Sequence, residues 1–191
     1  MSRLITNAIR STSASSDAIT LDSAGKCSFP NGGAGKILQV VQATQTSEVS
    51  TTGTSFVDTG LSGTITPSSN SSKILVMVTQ RFFISRSSDQ ARAGFQLLRG
   101  STVILTGPNT ASGSEPGGEG FSSANGPSVI QFAGAYSCSF LDSPSTTSAT
   151  TYKTQFANNQ SGGSPTIFIN SLNNNSGEDG TSTITLMEVA A

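Results

Sequence analysis

From Lys36 onward, apolar and polar residues alternate with a period close to two, broken by runs of Gly, Ser, Asn and Pro. The strongest stretch runs from Ser71 to Ile84. Ile74, Val76, Val78, Phe82 and Ile84 fall on one face at strand spacing, and Leu75, Met77 and Phe83 fall on the other. Neither Gly nor Pro interrupts it. A strand apolar on both faces is expected at the centre of a core, packed above and below. Before it, Leu61 to Thr66 forms a strand pattern, and Pro67, Ser68, Ser69 and Asn70 supply turn formers.

The remaining pattern divides in the same way. Residues 2–10 are too short to decide between a helical stripe and a strand. Ala18 to Asp22 is a short strand, turned by Ser23-Ala24-Gly25-Lys26, and Pro30-Asn31-Gly32-Gly33 breaks the chain. Lys36 to Gln42 opens the compact part as a strand. Thr44 to Gly53 is an edge strand or a loop. Ser55 to Asp58 and Leu61 to Thr66 are strands interrupted at Thr59-Gly60. Ala91 to Arg99 and Thr102 to Thr106 form a hairpin about Gly100-Ser101. Residues 107–127 carry no apolar period and form a long loop. Ser128 to Phe140 has the cleanest alternation. Ile130, Phe132, Tyr136, Cys138 and Phe140 share one face, and the small residues Ala133, Ala135, Ser137 and Ser139 share the other. That small-residue face suits either a second sheet of the same subunit or a neighbouring subunit. Thr150 to Ala157, Thr166 to Asn170 and Thr181 to Val189 complete the set. About eight to ten strands separated by turns predict an all-β fold, an antiparallel β-sandwich or jelly roll. Residues 1–35 are expected to form an extended N-terminal arm, either disordered or ordered against a partner, and residues 36–191 the head domain.

Composition sharpens this picture. Charged residues are 11% of the 191-residue chain, against roughly a quarter in ordinary soluble proteins. Ser and Thr approach about a third of it, and strand and turn formers dominate. The net charge of −1 comes with ten basic residues spread along the chain, which argues against nucleic-acid binding. No apolar run reaches membrane-spanning length, and the N-terminus lacks the pattern of a secretory leader. Two cysteines, Cys27 and Cys138, give no disulfide framework and leave their pairing open. Production in the cytosol is the simpler expectation.

The absence of His removes His-based triads, His-ligated zinc and His general bases together. No phosphate-binding Gly-rich loop, dinucleotide fingerprint or CxxC pair is present. The best hydrolase material is Glu115 with Glu119, or Glu178 with Asp179, but glycosidases need two carboxylates facing each other across a bond. Those pairs lie in Gly-rich sequence and read as solvated loop charge. Asn173, Asn175, Glu178 and Asp179 offer oxygen ligands for Ca²⁺, at a spacing that matches no defined loop. The chain is therefore expected to be a non-enzyme, with no catalytic residue, metal or cofactor. Loop residues able to touch a partner or the hydroxyls of a glycan are Arg86, Asp89, Asn109, Glu115, Glu119, Asn125, Asn159, Asn173, Asn175 and Asp179. A glycan site also wants exposed aromatic platforms. Trp is absent, and Tyr136 and Tyr152 lie in core phases.

Five blocks carry a family resemblance: "GKILQVVQA", "TSFVDTGLSGTITPSSNSSKILVMV", "LLRGSTVI", "SFLDSPSTTSATTYKTQF" and "STITLMEV". Together they resemble virion structural proteins of tailed phages, of marine and cyanobacterial type, many described as tail-fibre-like. The opening "MSRLITNAIRSTSASSDAITLDSAGKCSFP" is similar to the start of such proteins. The resemblance implies a β-sandwich head, a homotrimer, a place in the virion and an N-terminal segment that attaches the chain to other virion proteins. In that segment Arg3, Leu4, Ile5, Ile9, Ile19 and Leu21 are the expected contacts. It also implies a host glycan or receptor as a partner, and no insertion into a membrane. The placement it points to is a tail-fibre-like adsorption protein, with capsid decoration as the alternative, since no shaft repeat is present. A separate carbohydrate-binding module is the further alternative.

Overall fold

The computed structural model describes residues 8–10, 12–13, 15–17, 19–25, 27–28, 36–86, 91–106, 120–121, 130–158, 165–171 and 180–190. The described residues form fourteen strands, and every pairing between them is antiparallel. In chain order they are β1 (Ala8–Ile9), β2 (Ile19–Leu21), β3 (Cys27–Ser28), β4 (Ile37–Gln45), β5 (Val49–Thr51), β6 (Val57–Ile65) and β7 (Lys73–Arg86). They continue as β8 (Ala91–Arg99), β9 (Thr102–Thr106), β10 (Gly120–Phe121), β11 (Ile130–Asp142), β12 (Thr150–Asn158), β13 (Thr166–Ile169) and β14 (Ser182–Val189). β1, β2 and β3 make a small sheet of their own. The others form the two sheets of a β-sandwich.

The first sheet is organised on β7. One edge of β7 pairs with β11 along its whole length, from Ile74↔Asp142 to Arg86↔Ile130. Its other edge is shared: β14 takes Lys73 to Thr79, and β13 takes Phe82 to Ser85. β4 then adds to β14 and β5 to β13. The second sheet runs β6, β12, β8, with β9 and β10 sharing the far edge of β8.

The core lies between the sheets. Ile74, Val76, Val78, Phe82 and Ile84 of β7 are buried there, as the alternation predicts, with Ile184 and Leu186 of β14 beside them. Leu61 and Ile65 of β6, Phe95 and Leu97 of β8, and Tyr152 and Phe156 of β12 close it from the second sheet. β6 lies close against β14 at Gly63, since a Cβ there would lie 3.2 Å from Leu186. At the β11 side the core is aromatic. Tyr136 stacks flat on Phe95, ring centroids 4.8 Å apart, and Phe82 sits between Phe95 and Phe132 at 5.3 and 6.0 Å. Gly134 makes room for this cluster, because a Cβ there would meet the Phe132 and Phe82 rings at 2.7 and 2.9 Å.

Two expectations change. Thr59-Gly60 does not interrupt a strand: β6 runs through it on a bulge, where the register with β12 shifts between Lys153 and Gln155 and Gly60 takes a φ of 87°. And β7 is not covered on both faces. Phe83, on its outer face, is buried beside Phe168, but Met77 on the same face is 44% exposed.

A chain of buried polar groups crosses the core. Thr59 donates to Thr154, Thr154 to the Gln80 Oε1 at 2.8 Å, the Gln80 amide to Ser182 at 2.6 Å, and Ser182 to the Asn170 Oδ1 at 2.6 Å. The Asn170 amide ends it on Gln45 of β4. One donor direction satisfies every link. The Thr154 hydroxyl has one proton and gives it to Gln80, so Thr59 must donate to Thr154. Asn170 holds a left-handed φ of 57°, a conformation that Asn adopts more readily than most residues.

The turn between β6 and β7 is fastened by the last strand. Glu188, fully buried on β14, accepts from the backbone N–H of Ser68 at 2.7 Å, from the Ser68 hydroxyl at 2.6 Å and from the Gln39 amide at 2.7 Å. Beside it, the N–H of Ala190 donates to the carbonyl of Lys36 at 2.9 Å, which ties the two ends of the sandwich together.

Candidate assembly surface

The outer face of the first sheet carries an uncovered apolar band. The register sets Leu141 of β11 opposite Leu75 of β7, Leu75 opposite Met187 of β14, and Met187 opposite Val40 of β4. Directly opposite side chains lie about 5 Å apart, so these four make one row across four strands. Met77 extends the row on β7 and Val189 on β14. Ile37 and Leu38 extend it on β4, where the pairing is bulged. Leu141 is 48% exposed and Val40 56%, and Ile37 and Leu38 are exposed as well. Leu75, Met187 and Val189 are half-buried by their neighbours. Scattered apolar residues on a surface are ordinary, and a contiguous row on a sheet face is a candidate for cover by another element.

The small residues of β11 lie on this same outer face. Ala133, Ser137 and Ser139 are exposed and Ala135 half-buried, so they do not form the contact between the two sheets. Among the described residues, β11 pairs only with β7, which leaves its other edge open over thirteen residues.

The small N-terminal sheet shows a similar face. Ile9 stands opposite Ile19, and Leu21 opposite Cys27. Ile19 and Leu21 are two apart on β2, so all four belong to one side. Ile9 is 49% exposed and Leu21 39%, Cys27 is exposed and Ile19 half-buried. Three of the expected attachment residues, Ile9, Ile19 and Leu21, are thus brought together, while Arg3, Leu4 and Ile5 lie outside the described residues. So do Asp89, Asn109, Glu115, Glu119, Asn125, Asn159, Asn173, Asn175, Glu178 and Asp179. Arg86 ends β7, its backbone paired with Ile130. Cys27 and Cys138 are both free thiols.

The described carboxylates of the sandwich with resolved partners are committed to structural contacts. Asp142 receives Arg99 and the Tyr152 hydroxyl. Asp58 receives Lys153 at 2.9 Å and Gln155 at 2.7 Å. Burial works to raise the Asp58 pKa, and those two donors lower it below the usual value. Glu188 behaves likewise: burial opposes its charge, but the hydrogen bonds from Ser68 and Gln39 prevail and hold it at about 2. Neither Asp58 nor Glu188 is poised as a general acid. Among the described residues no group of three or more His, Cys, Asp or Glu could hold a metal ion. Tyr136 and Tyr152 are buried, as their phases predict, and offer no platform for a sugar. Burial raises both phenol pKa values, helped by Cys138 beside Tyr136 and Asp142 beside Tyr152.

The sequence shows the apolar side chains of this surface but not their exposure. Leu75 and Met77 look like core residues in the alternation, because an interface and a core share the same composition.

No family model matches the chain. No curated protein matches it either. Solved structures do. The structure of the infectious bursal disease virus Gx strain is 14% identical over 91% of this chain and 42% of that one, with a TM-score of 0.35. The structure of T=1 particles derived from infectious bursal virus is 13% identical over 91% and 40%, with a TM-score of 0.33. The Gt strain gives 14% over 91% and 42%, with a TM-score of 0.33. The chain thus spans about two fifths of the length of the structures it matches.

Proposed function

We infer that the protein is a non-enzymatic structural component of a virion surface, a tail-fibre-like adsorption protein that works as a homotrimer. The observation that carries this reading is the apolar row Leu141, Leu75, Met187 and Val40, left open on the outer face of the first sheet. A surface of that kind is built for assembly. The resemblance of the blocks around β6, β7, β12 and β14 to phage virion proteins supplies the setting. The N-terminal residues attach the chain to other virion proteins, and the loops between strands face the host receptor or glycan. Antibody labelling of phage particles that carry the protein tests the placement by electron microscopy. Label at the tail is expected. Uniform label over the head overturns the tail assignment, and absence of the protein from purified particles overturns the virion reading.

Capsid decoration is the second reading. What favours it is that only residues 29–36 separate β3 from β4 in the sequence, too few for a shaft repeat.

A further inference from the structure

The structure holds two uncovered apolar faces in one chain. One is the band of Leu141, Leu75, Met187 and Val40 with Met77, Ile37 and Leu38 around it. The other is the face of the N-terminal sheet made by Ile9, Ile19, Leu21 and Cys27. We propose that the N-terminal sheet of one copy packs, apolar face inward, onto the outer face of the sandwich of a neighbouring copy. The proposal rests on the reading of that outer face as an assembly surface and names its occupant.

Size, chemistry and connection support the match. Strands lie about 4.8 Å apart, so the three-stranded sheet is about 14 Å wide and the four-strand row about 19 Å. The donor face consists of Ile, Ile, Leu and Cys, and the acceptor face of Leu, Leu, Met and Val, so neither leaves a buried polar group unpaired. Residues 29–36 connect β3 to β4, and β4 begins inside the acceptor band at Ile37. Eight residues reach at most about 29 Å, so an arm leaves its own band close to any copy that stands beside it. An arm given to one neighbour and a band covered by another make head-to-tail contacts. Such head-to-tail contacts close into a ring when the rotation allows. Each face covers on the order of 200 Å² at these strand spacings, well under the roughly 800 Å² per partner of a stable pair. One contact alone is therefore weak, and ring closure supplies the rest by raising the local concentration of partner faces.

Disulfide trapping with the full chain tests this. One chain carries Cys138→Ala and keeps Cys27 as its only thiol. A second carries Cys27→Ser, Cys138→Ala and Val40→Cys. Mixed and oxidised, they should form a mixed disulfide dimer at least tenfold faster than with Val57→Cys in place of Val40→Cys, an exposed position on the other sheet. Adding Ile9→Asp to the first chain should remove that advantage. Circular dichroism melts confirm that each variant is folded. Equal rates at the two positions overturn the proposal. So does a chain with both Cys27 and Val40→Cys that oxidises only to a monomer with an internal disulfide, since the arm then covers its own band. Failure here leaves the virion reading standing, because that reading falls only on the labelling and composition of particles.

Discussion

Arg99 at the end of β8 and Asp142 at the end of β11 join the two sheets, with one guanidinium nitrogen 2.8 Å from each carboxylate oxygen. The Tyr152 hydroxyl donates to the same carboxylate at 2.7 Å from within the core. The two sides of the pair differ: the Arg99 side chain keeps 31% of its surface in solvent and Asp142 only 8%. Removing the acid strands two donors, one of them buried. Removing the base leaves the acid with Tyr152 still donating. Asp142→Ala and Arg99→Ala are each expected to cost about 3 kcal/mol, the first by stranding the donors and the second by leaving a buried carboxylate without its opposite charge. Urea unfolding midpoints check both, and a loss under about 1 kcal/mol for Arg99→Ala would show that the Tyr152 hydroxyl alone satisfies the carboxylate.

Glu188 sets an acid limit on the fold. Its folded pKa of about 2 lies below the ordinary 4.5. A depressed carboxyl pKa gives stability that is complete above about pH 4.5 and is lost as pH falls toward 2. The contribution is on the order of 2 kcal/mol after allowance for screening near the end of the sandwich. Melts from pH 6 to 2.5 should show the wild type losing stability below 4.5, and Glu188→Gln should start lower and lose less across the same range. Parallel curves would assign the acid sensitivity to other groups.

The polar chain through the core predicts strong coupling. Thr154→Val leaves the Gln80 Oε1 without its donor, at about 2 kcal/mol, while the Thr59 hydroxyl keeps the main-chain carbonyl of position 154 at 3.2 Å. Gln80→Leu takes the acceptor from the Thr154 hydroxyl and one donor from Ser182, which keeps Asn170 and the Arg81 N–H. Made together, the two substitutions should cost about 1 kcal/mol or more below the sum of the single costs. Strict additivity in a double-mutant cycle by chemical unfolding would mean that the groups act separately.

Gly134 is required by its neighbours rather than by its backbone. A methyl group there enters the space of Phe132 and Phe82. Gly134→Ala is expected to lower stability by about 1 to 3 kcal/mol through overpacking. Pairing it with Phe132→Leu, which vacates the space, should restore part of the loss. A neutral Gly134→Ala by thermal melting would show that the ring cluster moves freely.

The strand framework was legible because the alternation is long and the turns are chemically marked. β7, β8, β11, β12 and β14 fall where the period of two places them, within a few residues at the ends. What escaped was polar. Gln80 stands in the inward phase of β7 between Val78 and Phe82, and Glu188 stands in the inward phase of β14 after Leu186. A polar residue in a core phase is the available signal, but its partners lie up to 149 residues away, as Gln39 does from Glu188. Nothing local identifies them. The bulge at Thr59-Gly60 looked like a break because Gly is a turn former, and only the register with β12 shows the strand continuing. The apolar band escaped for the opposite reason. Its side chains were visible, and the exposure of Met77 and Val40 is decided by which strands lack a covering layer.

The hydrogen bond from Ala190 to Lys36 places the two ends of the sandwich side by side. Such a module can be spliced into an exposed loop of another protein without pulling that loop apart, because the chain enters and leaves at one point. By the same geometry its ends could be linked and new ones opened at the Gly100-Ser101 hairpin tip, giving a circularly permuted sandwich with the same sheets.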